Sequence, residues 1–429
     1  MSRNLSVKQI GFLRNACAVA VQLVAALFLI GRPAIAAGPK AYIGNFKDNT
    51  ISVIDVNLKR VTATIPVPPG PHGIAITPDN RWVYVASDGA SSVSVIDTAT
   101  DKLVETIEVG RNPHGVSASP DGKYVLVGVY DTDTVAIIDT STRKRVASVP
   151  VGKPHNLAIH PNSRLAYVGS QTPGKFSLAI IDVIDRKLMN TVPLEKTPRG
   201  LEFGRDGRSL YLTQAGLESV VVIDTETNKI VKEIAVGVSP HYANFTADGK
   251  RGLTAVQGPS LLVVFNAQTN SVEKSIKVGS RPHWVASGPD GKTALTTNED
   301  SNDVSIVDLD SGAVASVAVG NAPRRIAVQT AGTEQRSSNG RVTISGFAFA
   351  PALLKVKVGE RVAWSNDDGA PHSISVKNGP ASDTVMPGQS YSLTFDNFGD
   401  YDYLCTIHPY MTGKIVVTPA MTAIGIPRW

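Results

Sequence analysis

From Tyr42 to Gln329 short apolar runs alternate with polar turns, and nothing keeps a helical period over a dozen residues. The stretch beginning at Pro71 shows the unit. Its runs "GIAITP", "WVYVAS", "SVSVIDT" and "LVETIEVG" are rich in valine, isoleucine and tyrosine, and Pro-Asp-Asn, Gly-Ala-Ser and Thr-Asp-Lys turns separate them. The pattern then repeats. Pro71, Pro113, Pro154, Pro198, Pro240, Pro282 and Pro323 open successive units, 42, 41, 44, 42, 42 and 41 residues apart. A second marker ends the third run of each unit: Asp55, Asp97, Asp139, Asp182, Asp224, Asn266 and Asp308. Two independent markers with one period predict a repeat architecture.

Four strands in about 42 residues, repeated seven times, predict a seven-bladed β-propeller over residues 37–329. Only three strands precede Pro71 (41–46, 50–56 and 60–67), and one follows Pro323 ("RIAVQ"). Three plus one completes a blade from both ends of the repeat region, which closes the ring and leaves no open strand edge. The aspartates closing the third strands read as turn residues that bond nearby backbone amides. "SVSVIDTATDKLVETIEVGRNPHGVSASPDGKYV" resembles the bacterial YVTN-type propeller repeat nearly throughout, and the likeness covers about two-thirds of the chain. That resemblance implies a fold and an exported location, not one activity.

Residues 330–340, "TAGTEQRSSNG", are polar and lie outside the repeat; they read as a linker. Residues 341–418 alternate again in "VTISGFAFAP", "LKVKVGERVAWSN", "SYSLTFDNFGDYDYLC" and "GKIVVTP", the pattern of a small β-sandwich. The whole is predicted to be all-β, with residues 419–429 as a tail. At the other end Arg3, Lys8 and Arg14 precede an apolar run and Ala34-Ile35-Ala36, so residues 1–36 read as a cleaved secretory signal peptide; an uncleaved membrane anchor is the competing reading.

Removing the leader changes the charge. It holds Arg3, Lys8, Arg14 and Arg32 and no acid, so 42 Lys+Arg become 38 against 37 Asp+Glu. The mature chain is nearly neutral, which gives no reason to propose nucleic acid as a partner. The cysteines fall from two to one, Cys405, and no intramolecular disulfide can form.

Cys405 lies in "YDYLCTIHPYM", with His408 and Met411 at three-residue intervals, and His372 stands in "GAPHSISV". A thiolate, two imidazoles and a thioether form a soft donor set of the kind that holds copper in electron-transfer sites. The bland reading is a buried cysteine beside a His-Pro turn. Zinc accepts Cys and His, but a thioether is a poor zinc ligand and no further hard donor stands out. These segments resemble cupredoxins of the plastocyanin, pseudoazurin and amicyanin kind, with Cys-to-His and His-to-Met spacings most similar to amicyanin. The resemblance implies one type 1 copper held by His372, Cys405, His408 and Met411, and a protein redox partner: a dehydrogenase, a reductase or a cytochrome. Where the family usually has Asn after the first histidine this chain has Ser373, whose hydroxyl can bond near Thr406; the departure bears on the reduction potential.

Five of the eight histidines occupy one point of the repeat: His72, His114, His155, His241 and His283, with Arg199 and Arg324 at that point in the other two units. Equivalent positions of a propeller lie on a circle, so the seven could form a metal or anion site at a channel mouth. The alternative is a turn residue that only packs against the next blade. Nitrous-oxide reductase has a similar order of histidine-lined propeller and cupredoxin, but this chain is shorter, lacks that enzyme's two-cysteine motif, and has Arg in two units. His160, in an "HPN" turn, reads as solvated. No Ser-His-Asp order, haem-attachment Cys-x-x-Cys-His or phosphate-cradling loop is identifiable. Three functions remain: an exported blue-copper electron carrier whose propeller is a docking platform, a periplasmic copper-dependent oxidoreductase with a second site at the His/Arg ring, or a non-redox copper-binding scaffold or surface adhesion protein.

Overall fold

The computed structural model describes residues 38–329, 340–345, 347–350 and 352–418. The expected leader, nearly all of the expected linker and the tail lie outside the described residues. Seven four-stranded antiparallel sheets occupy Lys40–Val328. The first strands of the units, Pro71–Ile76 through Pro323–Val328, pack side by side in order, and the last of them meets the first. The ring is therefore closed. The seventh sheet has the composite order expected: Pro323–Val328, Lys40–Asn45, Thr50–Asp55 and Arg60–Pro66, with Ile326 opposite Ile43 and Ala327 opposite Tyr42.

Burial follows the strand's place in its blade. Second and third strands lie between two neighbouring sheets, so Trp82–Ser87 and Ser92–Asp97 are buried on both faces and read as continuous apolar runs. Fourth strands face solvent, and Lys102–Glu108 keeps only Ile107 fully buried. The residues ending the third strands make the turns expected of them: Asp97 accepts from the amides of Ala99 and Thr100, Asp139 from Thr142, Asp224 from Thr227 and Asp308 from Ser311.

Tyrosines in second strands latch adjacent blades. Tyr42 donates to Asp101 at 2.7 Å, Tyr167 to Asn228 at 2.7 Å and Tyr211 to Asn270 at 3.0 Å. Each acceptor is a left-handed turn residue of the following blade. Tyr84 has Arg143 at the corresponding turn, and its buried hydroxyl makes no hydrogen bond. Tyr167→Phe is therefore expected to cost about 1 kcal/mol in denaturant unfolding. Tyr84→Phe should cost almost nothing.

The glycine of "PHG" has a packing reason. A Cβ on Gly73 would collide with the carbonyl of His114, and one on Gly115 with that of His155. The absent side chain lets consecutive inner strands approach closely where the histidines sit. His160 corrects the sequence reading in part: it is half-buried rather than fully solvated. Its Nε2 lies 3.1 Å from the Gly207 carbonyl of the next blade, and its Nδ1 accepts from the Asn162 amide.

The second domain is a sandwich of two four-stranded sheets. One runs Ala348–Ala350, Arg341–Ser345, Arg361–Asn366, Ser390–Thr394; the other runs Leu353–Lys357, Thr412–Thr418, Gly399–Leu404, Ser375–Val376. Trp364, Ile374, Tyr403, Ile415 and Cys405 are all buried in the core between them. Cys405 is fully enclosed.

Candidate metal centre and histidine cluster

Two antiparallel strands, Gly399–Leu404 and Thr412–Thr418, hold the ends of the Cys405–Met411 loop. The loop closes on itself: the Cys405 amide donates to the Met411 carbonyl at 3.0 Å, and the Met411 amide to the His408 carbonyl at 2.9 Å. Met411 is buried in the same core as Cys405. His372 comes from a separate segment, pinned by a reciprocal backbone pair with Val385 at 3.0 and 2.7 Å. Asn366, fully buried, fixes that segment by donating to the carbonyls of Ala370 and Val385, both at 2.8 Å.

The structure brings three of the four expected donors into one triangle. Cys405 Sγ lies 3.7 Å from Nδ1 of His372 and of His408, and the two nitrogens are 3.2 Å apart. A point equidistant from all three lies about 2 Å from each, close to a metal–imidazole bond of about 2.0–2.1 Å. The triangle fits a soft first-row cation.

Around it the polar groups are arranged for a thiolate. The amides of Ser373 and His408 point at Sγ from 3.3 and 3.4 Å. Burial pushes the Cys405 thiol up, but hydrogen bonds from His372 and these amides outweigh it, and the thiol falls to about 6. His372 is opposed by burial and raised, by Asp368 and the thiolate, to about 9. Both shifts favour a thiolate beside a protonated imidazole, so cation binding at this pair releases a proton. Ser373 Oγ meets Thr406 Oγ1 at 2.7 Å and accepts from the Thr406 amide at 2.9 Å, the contact expected of it.

Two residues near the triangle escaped sequence reasoning. Asp368 Oδ2 accepts from His372 Nε2 at 2.9 Å and from the Phe347 amide at 3.0 Å. This carboxylate–histidine arrangement fixes the ring so that Nδ1 faces the cysteine. Its signal was present: an acid four residues before the histidine in "NDDGAPH". Phe347 sits edge-on to both imidazoles, with centroids 5.5 and 5.0 Å away, and its φ of 56° is rare for an aromatic residue. Asp368→Ala is expected to weaken copper affinity about 10–100-fold, measured by competition with a chelator.

The five histidines of the propeller also converge. His72 stacks on His114 at 3.8 Å, His114 lies 4.0 Å from His155, His241 lies 4.0 Å from His283, and His283 meets His72 at 5.6 Å. Burial, then neighbouring cationic groups, hold all five well below the usual imidazole range, His114 and His241 at about 3. They are neutral at pH 7. The two arginines turn to other partners. Arg199 donates to Ser239 at 3.1 Å, and Arg324 pairs with Glu299 at 3.3 Å while lying over the Phe46 ring at 3.6 Å.

The next residue along several inner strands is bulky. Arg325 lies 4.1 Å over the Trp284 ring and donates to Asn156, Tyr242 stacks on Trp284 at 3.5 Å, and Tyr242 donates to Glu202.

Residues 337–418 match the family of copper binding proteins described as plastocyanin/azurin, and residues 45–190 match the family described as cytochrome D1 heme domain. Amicyanin-alpha of Methylorubrum extorquens is 36% identical over 90 residues, 20% of this chain and 76% of that protein. Amicyanin of Paracoccus denitrificans is 40% identical over 82 residues, 18% of this chain and 63% of that protein. Among solved structures, hydrazine synthase of Kuenenia stuttgartiensis superposes with a TM-score of 0.59 at 20% identity, over 65% of this chain and 98% of that one. A dihydro-heme d1 dehydrogenase, NirN, gives 0.53 at 19% identity, over 71% and 78%. At those identities the likeness is one of fold. His72 and His114 stack at 3.8 Å and His155 lies tilted 4.0 Å from His114, so no planar macrocycle fits between these rings.

Proposed function

We propose, for a chain that belongs through residues 337–418 to the plastocyanin/azurin family of copper-binding proteins, the function of an exported one-electron carrier. His372, Cys405 and His408 hold a single copper, with Met411 as the weak fourth ligand, and the copper supplies one-electron cycling. The observation that carries this reading is the triangle of 3.7, 3.7 and 3.2 Å around a thiolate held by two amides.

The residues keep that geometry through both oxidation states. Cys405 and Met411 are locked by the closed loop, and His372 by Val385 and Asp368. A rigid donor set leaves little to rearrange when one electron is added. His408 is only half-buried; its chain neighbours Ile407, 43% exposed, and Pro409 are exposed, the Tyr410 ring lies 6.0 Å away, and exposed Pro371 precedes His372. This small, mostly apolar rim suits the weak, transient encounters of redox partners, and His408 is the exit for the electron. The propeller then serves as the platform on which a partner protein docks.

The test is a visible and paramagnetic-resonance spectrum of the purified mature protein with metal quantitation. An intense visible band with one mononuclear cupric signal, bleached and restored through successive redox cycles, is expected. A colourless copper-loaded protein sinks the reading. Pro409→Glu is expected to slow electron exchange with an anionic partner protein severalfold, measured by stopped flow, while leaving the spectrum unchanged. The second reading, an oxidoreductase fed by the copper domain, is favoured by the convergence of the five histidines; it requires metal that survives His408→Ala.

A further inference from the structure

The histidine cluster contains one carboxylate. Asp88 Oδ2 lies 3.2 Å from His114 Nδ1, and one donor atom each from His72, Asp88 and His114 falls within 4.8 Å of the others. The Asp88–His114 contact satisfies one atom on each residue and leaves three others stranded. His72 Nδ1, His114 Nε2 and Asp88 Oδ1 are buried and make no hydrogen bond, and His241 Nδ1 and His283 Nδ1 share that condition. His72 is 4% exposed and His283 5%. Buried polar atoms without partners call for a water or an ion.

The repeat itself marks the place. The residue after each second strand is Phe46, Asp88, Tyr130, Gln171, Ala215, Gln257 or Glu299. Only two of these are acids. Glu299 is taken up by Arg324 and lies beside Arg281, whereas Asp88 meets a histidine. The carboxylate thus enters the cluster at a single blade, where the imidazole donors are uncharged. A purely structural His–Asp contact needs neither the second imidazole nor the stranded atoms. Arg324 is paired with Glu299 and Arg199 donates to a neutral serine, but both cations still act on the histidines, so an anion is the rival ligand.

We propose that His72, His114 and Asp88 form a second metal site, for a divalent ion of the zinc or copper class, at the propeller mouth. Two imidazoles and one carboxylate are common donors for such ions. Donors at tetrahedral angles around an ion at bonds of about 2.1 Å stand about 3.4 Å apart. The present atoms lie within 4.8 Å of one another, so binding must draw them together by as much as about 1.4 Å and turn the His72 and His114 rings out of their stack. The site rests on neither reading of the copper domain.

The test uses the untagged full chain carrying Cys405→Ser and His408→Ala, which removes two of the three donors of the cupredoxin triangle and leaves only His372. After stripping and dialysis against Zn(II) alone, one zinc per chain is expected, with a rise in the propeller's melting temperature. Asp88→Asn, nearly isosteric, should weaken zinc binding at least tenfold, and His72→Ala should abolish it. Metal-free melts of each variant report folding; if His72→Ala does not fold, Asp88→Asn decides alone. Zinc absent from the folded parent, or bound with unchanged affinity in Asp88→Asn, overturns the site. So does a melting shift produced by inorganic phosphate and not by zinc.

Discussion

Cys405→Ser is expected to abolish the intense visible band and reversible one-electron cycling together, while the β-sheet signal in the far ultraviolet stays unchanged. The substitution replaces one small atom in a fully enclosed position, so packing is nearly conserved. What disappears is the thiolate. Colour of this kind comes from charge transfer between sulfur and copper, and a serine hydroxyl cannot supply it. Serine also stays protonated where Cys405 sits at about 6, so the two amides at 3.3 and 3.4 Å lose their anionic acceptor. Copper held weakly by the two remaining imidazoles should give an ordinary cupric resonance and pale colour. His408→Ala separates the roles further. It should remove the same band but leave Cys405 able to react with a thiol reagent, because the half-buried imbricating ring at the loop's rim is gone. A Cys405→Ser protein that keeps the band and the reversible wave contradicts the copper reading outright.

How much of this was legible beforehand depends on whether a residue speaks through its neighbours in sequence or in space. The blades were legible because each repeats one local pattern, and the composite blade followed from counting strands at the two ends of the repeat. The donor set was legible because three of its four members lie within seven residues, Cys405 to Met411. Asp368 and Phe347 were not singled out. Their roles exist only once the loop after Arg361–Asn366 folds back, placing one carboxylate oxygen between a ring nitrogen and a backbone amide. Asp88 is a subtler case. Nothing near it in sequence suggests a ligand, yet among the seven equivalent loop positions only it and Glu299 are acidic. The circle of histidines and arginines was inferred from symmetry: the five imidazoles converge, and Arg199 and Arg324 act on them electrostatically. Arg199 and Arg324 share the ring position in sequence, but each turns to a partner outside the histidine cluster.

Ile326→Asp is expected to unfold the propeller while leaving the copper band intact. Ile326 is 3% exposed, lies opposite Ile43 in the composite blade and packs in the core that includes Ile54, Trp284 and Val285. An unpaired carboxylate there has no partner and must either ionise in apolar surroundings or bind a proton at neutral pH; both are costly. Together with the lost apolar contacts, the penalty should exceed about 4 kcal/mol, a large part of the roughly 5–15 kcal/mol that holds a domain folded. The position magnifies the loss. Pro323–Val328 is the strand that joins the last blade to the first, so disrupting it exposes the edge of Lys40–Asn45 and leaves the ring open. An equally buried substitution within a blade made from one continuous segment, such as Val221→Asp, lacks that second effect, and the difference between the two variants measures the clasp. The donors of the copper triangle all come from residues 372–408, whose sandwich has its own core, so the visible band reports on that domain alone. Parallel thermal scans at the visible band and in the far ultraviolet make the check. Ile326→Asp should move the large far-ultraviolet transition down by many degrees and leave the visible one in place; coincident shifts of both would show that the two domains unfold as one.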